Sequence, residues 1–239
     1  RITCRDWFQL TLKEGLTVFR EQEFVTDFNM QNSTKNHANS AKAVKRIEDV
    51  QIIREKQFPE DASPMAHPIR PGSYSEIRNF YTTTIYEKGA EVIRMLYTIF
   101  GEEGFQKGMT SYIKNFDGFA ATCEDFVKSL LKSNSREDLF HIFMRWFDSK
   151  GTPIVKVNET WNSSTKIFTV TLEQKNRLGL VETKPLLIPI RYKFINAKEL
   201  AFPENEKLIL LKETKKNIKF CFPNSTTNKK PQISIFRNF

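Results

Sequence analysis

WFDSKGTPIVKV, residues 146–157, is where the chain changes its apolar period. Before Gly151-Thr152-Pro153, apolar residues recur at helical spacing. After it they alternate at period two, in IVKV (154–157), KIFTVTL (166–172), IPIRYKFI (188–195) and LILLKE (208–213), with Asn, Pro and Gly clusters between them. The expectation is an α+β chain of two domains: a mainly helical one over 1–150 and an all-β one over 151–239. The second has room for about seven short strands, the size and rhythm of a small β-sandwich.

Upstream of that change, RDWFQLTLKEGLTVFREQEF (5–24) supports one helix. Tyr86 to Phe100 supports a second that ends at Gly101, and Glu102 to Asn115 a third. Thr122 is placed to cap a fourth helix, and Ser135 with Asp138 three residues on forms a capping box for a fifth that runs to Phe147. QNSTKNHANSAK (31–42) is polar and without apolar periodicity, so it reads as an exposed loop. PEDASPMAHPIRPGSY (59–74) carries four prolines and reads as ordered but irregular.

With 39% hydrophobic residues and 21 Phe in 239, the chain can fill a core in each domain. Its net charge of +9 is uneven: residues 1–150 hold 21 basic and 21 acidic residues, and 151–239 hold 16 and 7. In IRYKFI and IKFCF those basic residues alternate with apolar ones, as on the solvent face of a strand. That argues against a nucleic-acid partner. No stretch approaches the roughly 20 apolar residues of a membrane helix, and RITCRDWFQL lacks the layout of a signal peptide. Cys4, Cys123 and Cys221 are odd in number and widely spaced, which suits reduced thiols. The expectation is a cytoplasmic chain with no membrane contact.

Glu14 shares a helical face with Trp7, Leu10 and Val18, which places a carboxylate within an apolar stripe. Such a carboxylate needs a partner, either a structural Arg or Lys or a metal. Tyr86 opens a helix rich in small residues, YEKGA, where Gly89 and Ala90 allow close approach of another element. From spacing alone Tyr86 is a core tyrosine with a satisfied hydroxyl. His37, His67 and His141 have no His or Glu at metal-ligand spacing, so these residues do not build a catalytic zinc site by themselves. No GxSxG, P-loop or GxGxxG occurs.

TCRDWFQLTLKEGLTVFREQEF (3–24) resembles the segment after the HExxH helix in zinc aminopeptidases of the aminopeptidase N family, in their bacterial and apicomplexan form. Further blocks follow in the same order: QFPEDASPMAHPIRPGSY, NFYTTTIYEKGAEVIRMLYTIFGEEGFQKGM, DGFAATCEDF and RWFDSKGTPIV. The resemblance is dense over about residues 1–155 and thinner through the β domain. It implies the C-terminal part of a thermolysin-like catalytic domain over 1–150 and an Ig-like β-sandwich over 151–239.

In that family HExxH is followed, after a fixed spacer, by a Glu that is the third zinc ligand, and Glu14 occupies its place. Counting back by that spacer puts both histidines and the general-base Glu before Arg1, and the family's GAMEN motif further upstream still. The resemblance therefore implies Zn²⁺ as cofactor, peptides as substrates and Glu14 as metal ligand. It also implies Tyr86 as the catalytic hydroxyl that meets the oxyanion, and Tyr81 and Val18 as substrate-pocket residues. The expected function is part of a zinc aminopeptidase that hydrolyses N-terminal residues, inactive as this chain alone. The alternative is a catalytically dead structural or binding module. Residues 27–42 read as an insertion against the family pattern, Arg78 stands where a neutral polar residue is usual, and Lys13 beside Glu14 sets local electrostatics.

Overall fold

The computed structural model describes residues 1–34, 37–175, 184–198, 200–225 and 228–237. The chain divides into two compact units, Arg1–Thr152 and Pro153–Phe239. Among the described residues no helix is long and apolar enough to cross a membrane.

The first unit opens with a two-residue strand β1 (Thr3–Cys4) and a single 3₁₀ turn, Trp7–Gln9. Asp6 caps that turn, accepting from Phe8 N–H at 3.0 Å and from Gln9 Nε2 at 3.1 Å. Helix α1 follows over Leu10–Gln31, longer than the apolar period over 5–24 indicates. Helix α2 (Ala38–Ile52) passes into a π turn (Ile53–Gln57) and then the short α3 (Phe58–Ala62), with a proline in its first turn. The loop expected over 31–42 is thus much shorter. Gln31 ends α1 and residues from 38 onward are helical, while 35 and 36 lie outside the described residues. The polar run misled because a helix can start on its wet side before an apolar residue, here Ile53 in the π turn that continues it, reaches the core.

After the irregular proline segment a second π turn (Thr84–Lys88) leads into α4 (Gly89–Phe116). Helix α4 is broken at Gly101, whose φ of 69° and ψ of −179° are open to glycine and strained for other residues. A helix ending there is what the sequence predicts. Strand β2 (Ala120–Ala121) pairs with β1 in parallel. Helix α5 (Cys123–Ser133) has a complete capping box: Thr122 accepts from Asp125 N–H and Asp125 accepts from Thr122 N–H. The box expected from Ser135 and Asp138 does not form. Ser135 sits at φ 53°, a 3₁₀ turn (Glu137–Leu139) intervenes, and α6 (Phe140–Asp148) starts from Leu139 without a side-chain cap. The core joins Leu12 and Phe19 of α1, Leu96 and Phe105 of α4, Phe126 and Leu130 of α5, and Phe143 and Phe147 of α6.

The second unit holds six strands among its described residues: β3 (Ile154–Asn162), β4 (Ile167–Lys175), β5 (Ile188–Phe194), β6 (Lys207–Leu211), β7 (Lys215–Cys221) and β8 (Ile233–Ile235). They form two antiparallel sheets, ordered β3-β4-β7 and β6-β5-β8. Strict alternation on β4 buries Phe168, Val170, Leu172 and Gln174. The sheets meet through aromatic rings: Phe194 of β5 lies 6.0 Å from Phe168 and 5.1 Å from Phe220, centroid to centroid. Gln174, fully buried, exchanges two hydrogen bonds with the Leu186 backbone, at 2.8 and 3.0 Å, so its amide is satisfied.

Candidate active site

The site is made where α1 crosses the start of α4. Gly15 and Gly89 meet there without side chains. A Cβ on Gly15 would lie 2.8 Å from the Gly89 carbonyl carbon, and one on Gly89 only 2.1 Å from Thr11 Oγ1. Thr11, itself buried, donates from Oγ1 to the Ile85 carbonyl at 2.9 Å and ties the two elements together. This close approach carries Glu14 on α1 up to Tyr86, the middle residue of the Thr84–Lys88 π turn.

The Glu14 side chain is 13% exposed, and its Oε1 lies 3.2 Å from Lys13 Nζ, which is 65% exposed. Its cationic partner is thus a surface lysine, and among the described residues no buried counter-ion of the kind a structural core pair requires is paired with it. Tyr86 packs against the buried cluster of Leu10, Phe80 and Ile85 together with Phe8. Burial, and then the charge and hydrogen bonding of the neighbouring Glu14 carboxylate, hold its hydroxyl above the usual tyrosine pKa. A phenol with a raised pKa keeps its proton at neutral pH and so remains a donor. The Tyr81 ring, 49% exposed, lies 6.5 Å from that of Tyr86, centroid to centroid. Val18 stands one turn beyond Glu14 on α1, half-buried. Arg78 forms an exposed ion pair with Glu76 at 2.8 Å.

Around the π turn stand residues that periodicity did not single out. Glu60 Oε1, on α3, accepts from Thr84 N–H at 2.8 Å and from Thr84 Oγ1 at 2.5 Å. The next residue, Asp61, accepts from Lys88 Nζ at 2.8 Å, from Gly151 N–H at 2.7 Å and from Thr152 Oγ1 at 3.0 Å. Lys88 also donates to Gly151 O at 3.0 Å. Burial opposes the charge on Asp61, but Lys88 and these hydrogen bonds outweigh it and keep its pKa below the usual carboxylate range. Both nitrogens of His67 are engaged: Nδ1 donates to Pro68 O at 2.8 Å, and Nε2 lies 2.9 Å from Thr82 Oγ1. The only signal for this set was a charged residue beside the glycine of YEKG and two acids in a proline-rich segment.

Among the described residues no group of three or more His, Cys, Asp or Glu has the arrangement of a metal site. Glu14 fits as one donor of a larger set. It is a carboxylate, largely withdrawn from water, whose donors, Lys13 and Tyr86, leave it acceptor capacity for a cation.

A mainly helical unit with a carboxylate and a tyrosine brought together, followed by a two-sheet β unit, defines a two-domain α+β protein. The family comparison is specific. The Peptidase family M1 domain matches residues 1–146, and a domain of unknown function with an Ig-like fold, DUF3458, matches 151–239. The chain belongs to peptidase family M1. It is 52% identical over 191 residues to aminopeptidase N of Escherichia coli K12, covering 79% of this chain and 20% of that protein. It is 47% identical over 199 residues to aminopeptidase N of Haemophilus influenzae, covering 82% and 21%. A crystal structure of Legionella pneumophila aminopeptidase A in complex with aspartic acid superposes with a TM-score of 0.69 at 26% identity, over 100% of this chain and 24% of that one. The chain thus spans about a fifth of the length of the curated relatives it matches.

Proposed function

We propose that these residues are part of a cytoplasmic zinc aminopeptidase that hydrolyses N-terminal residues from peptides. Glu14 serves as one zinc ligand and the Tyr86 hydroxyl as the donor to the oxyanion. The observation that carries this reading is the Gly15–Gly89 crossing, which puts a partly buried carboxylate beside a phenol that keeps its proton. When bound, zinc supplies Lewis acidity at the scissile carbonyl and lowers the pKa of water. Tyr86 donates a hydrogen bond that strengthens as negative charge grows on the carbonyl oxygen. Tyr81, exposed beside Tyr86, and Val18, along α1 from Glu14, line the pockets for substrate side chains. The free thiols of Cys4, Cys123 and Cys221 support a reducing compartment.

No HExxH occurs in the 239 residues. A complete zinc site under this reading needs further ligands and a general base that these 239 residues do not supply, and these residues expressed alone have no peptidase activity. Neither a nucleic acid nor a membrane is among the proposed partners.

The test is Glu14→Gln in a full-length protein that carries HExxH, read by zinc stoichiometry and by the melting temperature of the zinc-free form. The ligand role predicts lost zinc with little change in that temperature. Full zinc occupancy with a large drop in melting temperature would overturn it in favour of a structural carboxylate.

A further inference from the structure

The Thr84–Lys88 segment is wound as a π turn, a local i→i+5 arrangement that persists only where its surroundings hold it. Its far end is locked. Lys88 is held by Asp61 and Gly151, and both side chains of the ion pair are almost fully buried, at 8% and 1% exposure. Its middle is tied through the Ile85 carbonyl to Thr11 on α1. Its start is held most closely by one side chain, with two longer contacts beside it, Gln57 Nε2 donating to Thr84 Oγ1 at 3.4 Å and Ile85 N–H donating to Thr82 Oγ1 at 3.3 Å. Glu60 accepts both the backbone N–H and the hydroxyl of Thr84 on a single oxygen, and Thr84 is fully buried. The first N–H groups of a helix have no intrahelical partner, so Glu60 acts as an acceptor supplied from another element.

We propose that Glu60 is a positioning residue for Tyr86. By holding Thr84, two residues before it, Glu60 sets the start of the π turn and hence the height at which the Tyr86 hydroxyl stands beside Glu14. What it supplies is an acceptor oxygen at one place rather than a charge. A neutral amide at the same position therefore does the same work, and a truncated side chain does not. This inference rests on the proposed catalytic role of Tyr86.

The experiment compares Glu60→Ala, Glu60→Gln, Thr84→Val and Tyr86→Phe in the full-length protein, measuring kcat, KM and amide hydrogen exchange over Thr84–Lys88. Glu60→Ala should lower kcat about 10–100-fold, the usual cost of removing an outer-shell partner, with KM nearly unchanged and faster exchange across the turn. Glu60→Gln should restore kcat and slow exchange. Thr84→Val, which keeps Glu60 and the backbone N–H bond to it and removes only the hydroxyl's bonds to Glu60 and Gln57, should lower kcat in the same direction, and it answers the question if Glu60→Ala fails to fold. If Tyr86→Phe loses kcat while Glu60→Ala and Thr84→Val keep it, the positioning role is wrong and the Tyr86 reading stands. If Glu60→Ala and Glu60→Gln lose kcat, KM and melting temperature together, Glu60 is a structural residue only. If Tyr86→Phe keeps its kcat, the catalytic reading falls and the positioning role with it.

Discussion

Gly15 on α1 and Gly89 at the start of α4 touch backbone to backbone, so that a methyl group on Gly15 would stand 2.8 Å from one Gly89 atom and 3.0 Å from another. In an ordinary helix interior, replacing glycine by alanine gains about 0.5–1 kcal/mol, because the unfolded chain loses freedom. Here the neighbour is backbone, which gives way only if the whole crossing opens. Overpacking of that kind costs about 1–3 kcal/mol and outweighs the entropic gain. Gly15→Ala should therefore lower the melting temperature, at about 2–4 °C per kcal/mol for a chain of this size. Gly72→Ala, with nothing within 4 Å of its Cβ, is the control that should not. An unchanged or raised melting temperature for Gly15→Ala would show that the elements are free to separate.

Asp61 and Lys88 form a buried pair, and removing one partner strands the other. Asp61→Asn should cost about 3–5 kcal/mol at neutral pH. The pH dependence carries the sign. Asp61 has a folded-state pKa below its unfolded value, so its contribution is complete above about pH 4 and is lost as pH falls through the lower, folded value. Chemical denaturation of the parent and the variant from pH 7 down to pH 2 should show the gap between them closing at the acid end. A gap that stays constant with pH would mean that the ion pair contributes no charge interaction to the fold.

In the β unit, Phe194 is fully buried and its ring contacts Phe168, Tyr192, Phe202, Phe220 and Phe222. We expect residues 153–239 to fold alone around this cluster, with circular dichroism of β type. Phe194→Ala should destabilise that fragment by about 3–5 kcal/mol. Mainly helical dichroism, or no cooperative transition, would refute an autonomous unit.

How far the sequence reveals these features depends on how local each signal is. The change of period at Gly151, the break at Gly101 and the cap at Thr122 are each decided by a few adjacent residues, and each can be read directly. Ser135 failed as a cap because a 3₁₀ turn displaced the start of α6, a choice made by packing rather than by the four-residue pattern. The same distinction holds in the site. Glu14 in its apolar stripe and the small residues after Tyr86 are periodic features, visible from spacing. Glu60 and Asp61 reach Thr84 and Lys88 across the irregular proline segment, and a contact over that separation leaves no period to detect.

Tyr86→Phe isolates the hydroxyl. The ring that packs against Leu10, Phe80 and Ile85 is kept, so the fold should be little affected, and zinc content in a full-length protein should be normal. What is lost is a donor whose hydrogen bond strengthens only as the carbonyl oxygen gains charge. Under the proposed reading kcat should fall about 10²–10³-fold while KM changes little. The structural alternative, a core tyrosine whose hydroxyl merely satisfies Glu14, makes a different forecast: a small change in stability and a kcat close to that of the parent. Steady-state kinetics on an alanyl or leucyl chromogenic amide, with zinc content and melting temperature measured on the same sample, separates the two. A Tyr86→Phe protein that keeps most of its kcat would reduce Tyr86 to a packing residue at the Gly15–Gly89 crossing.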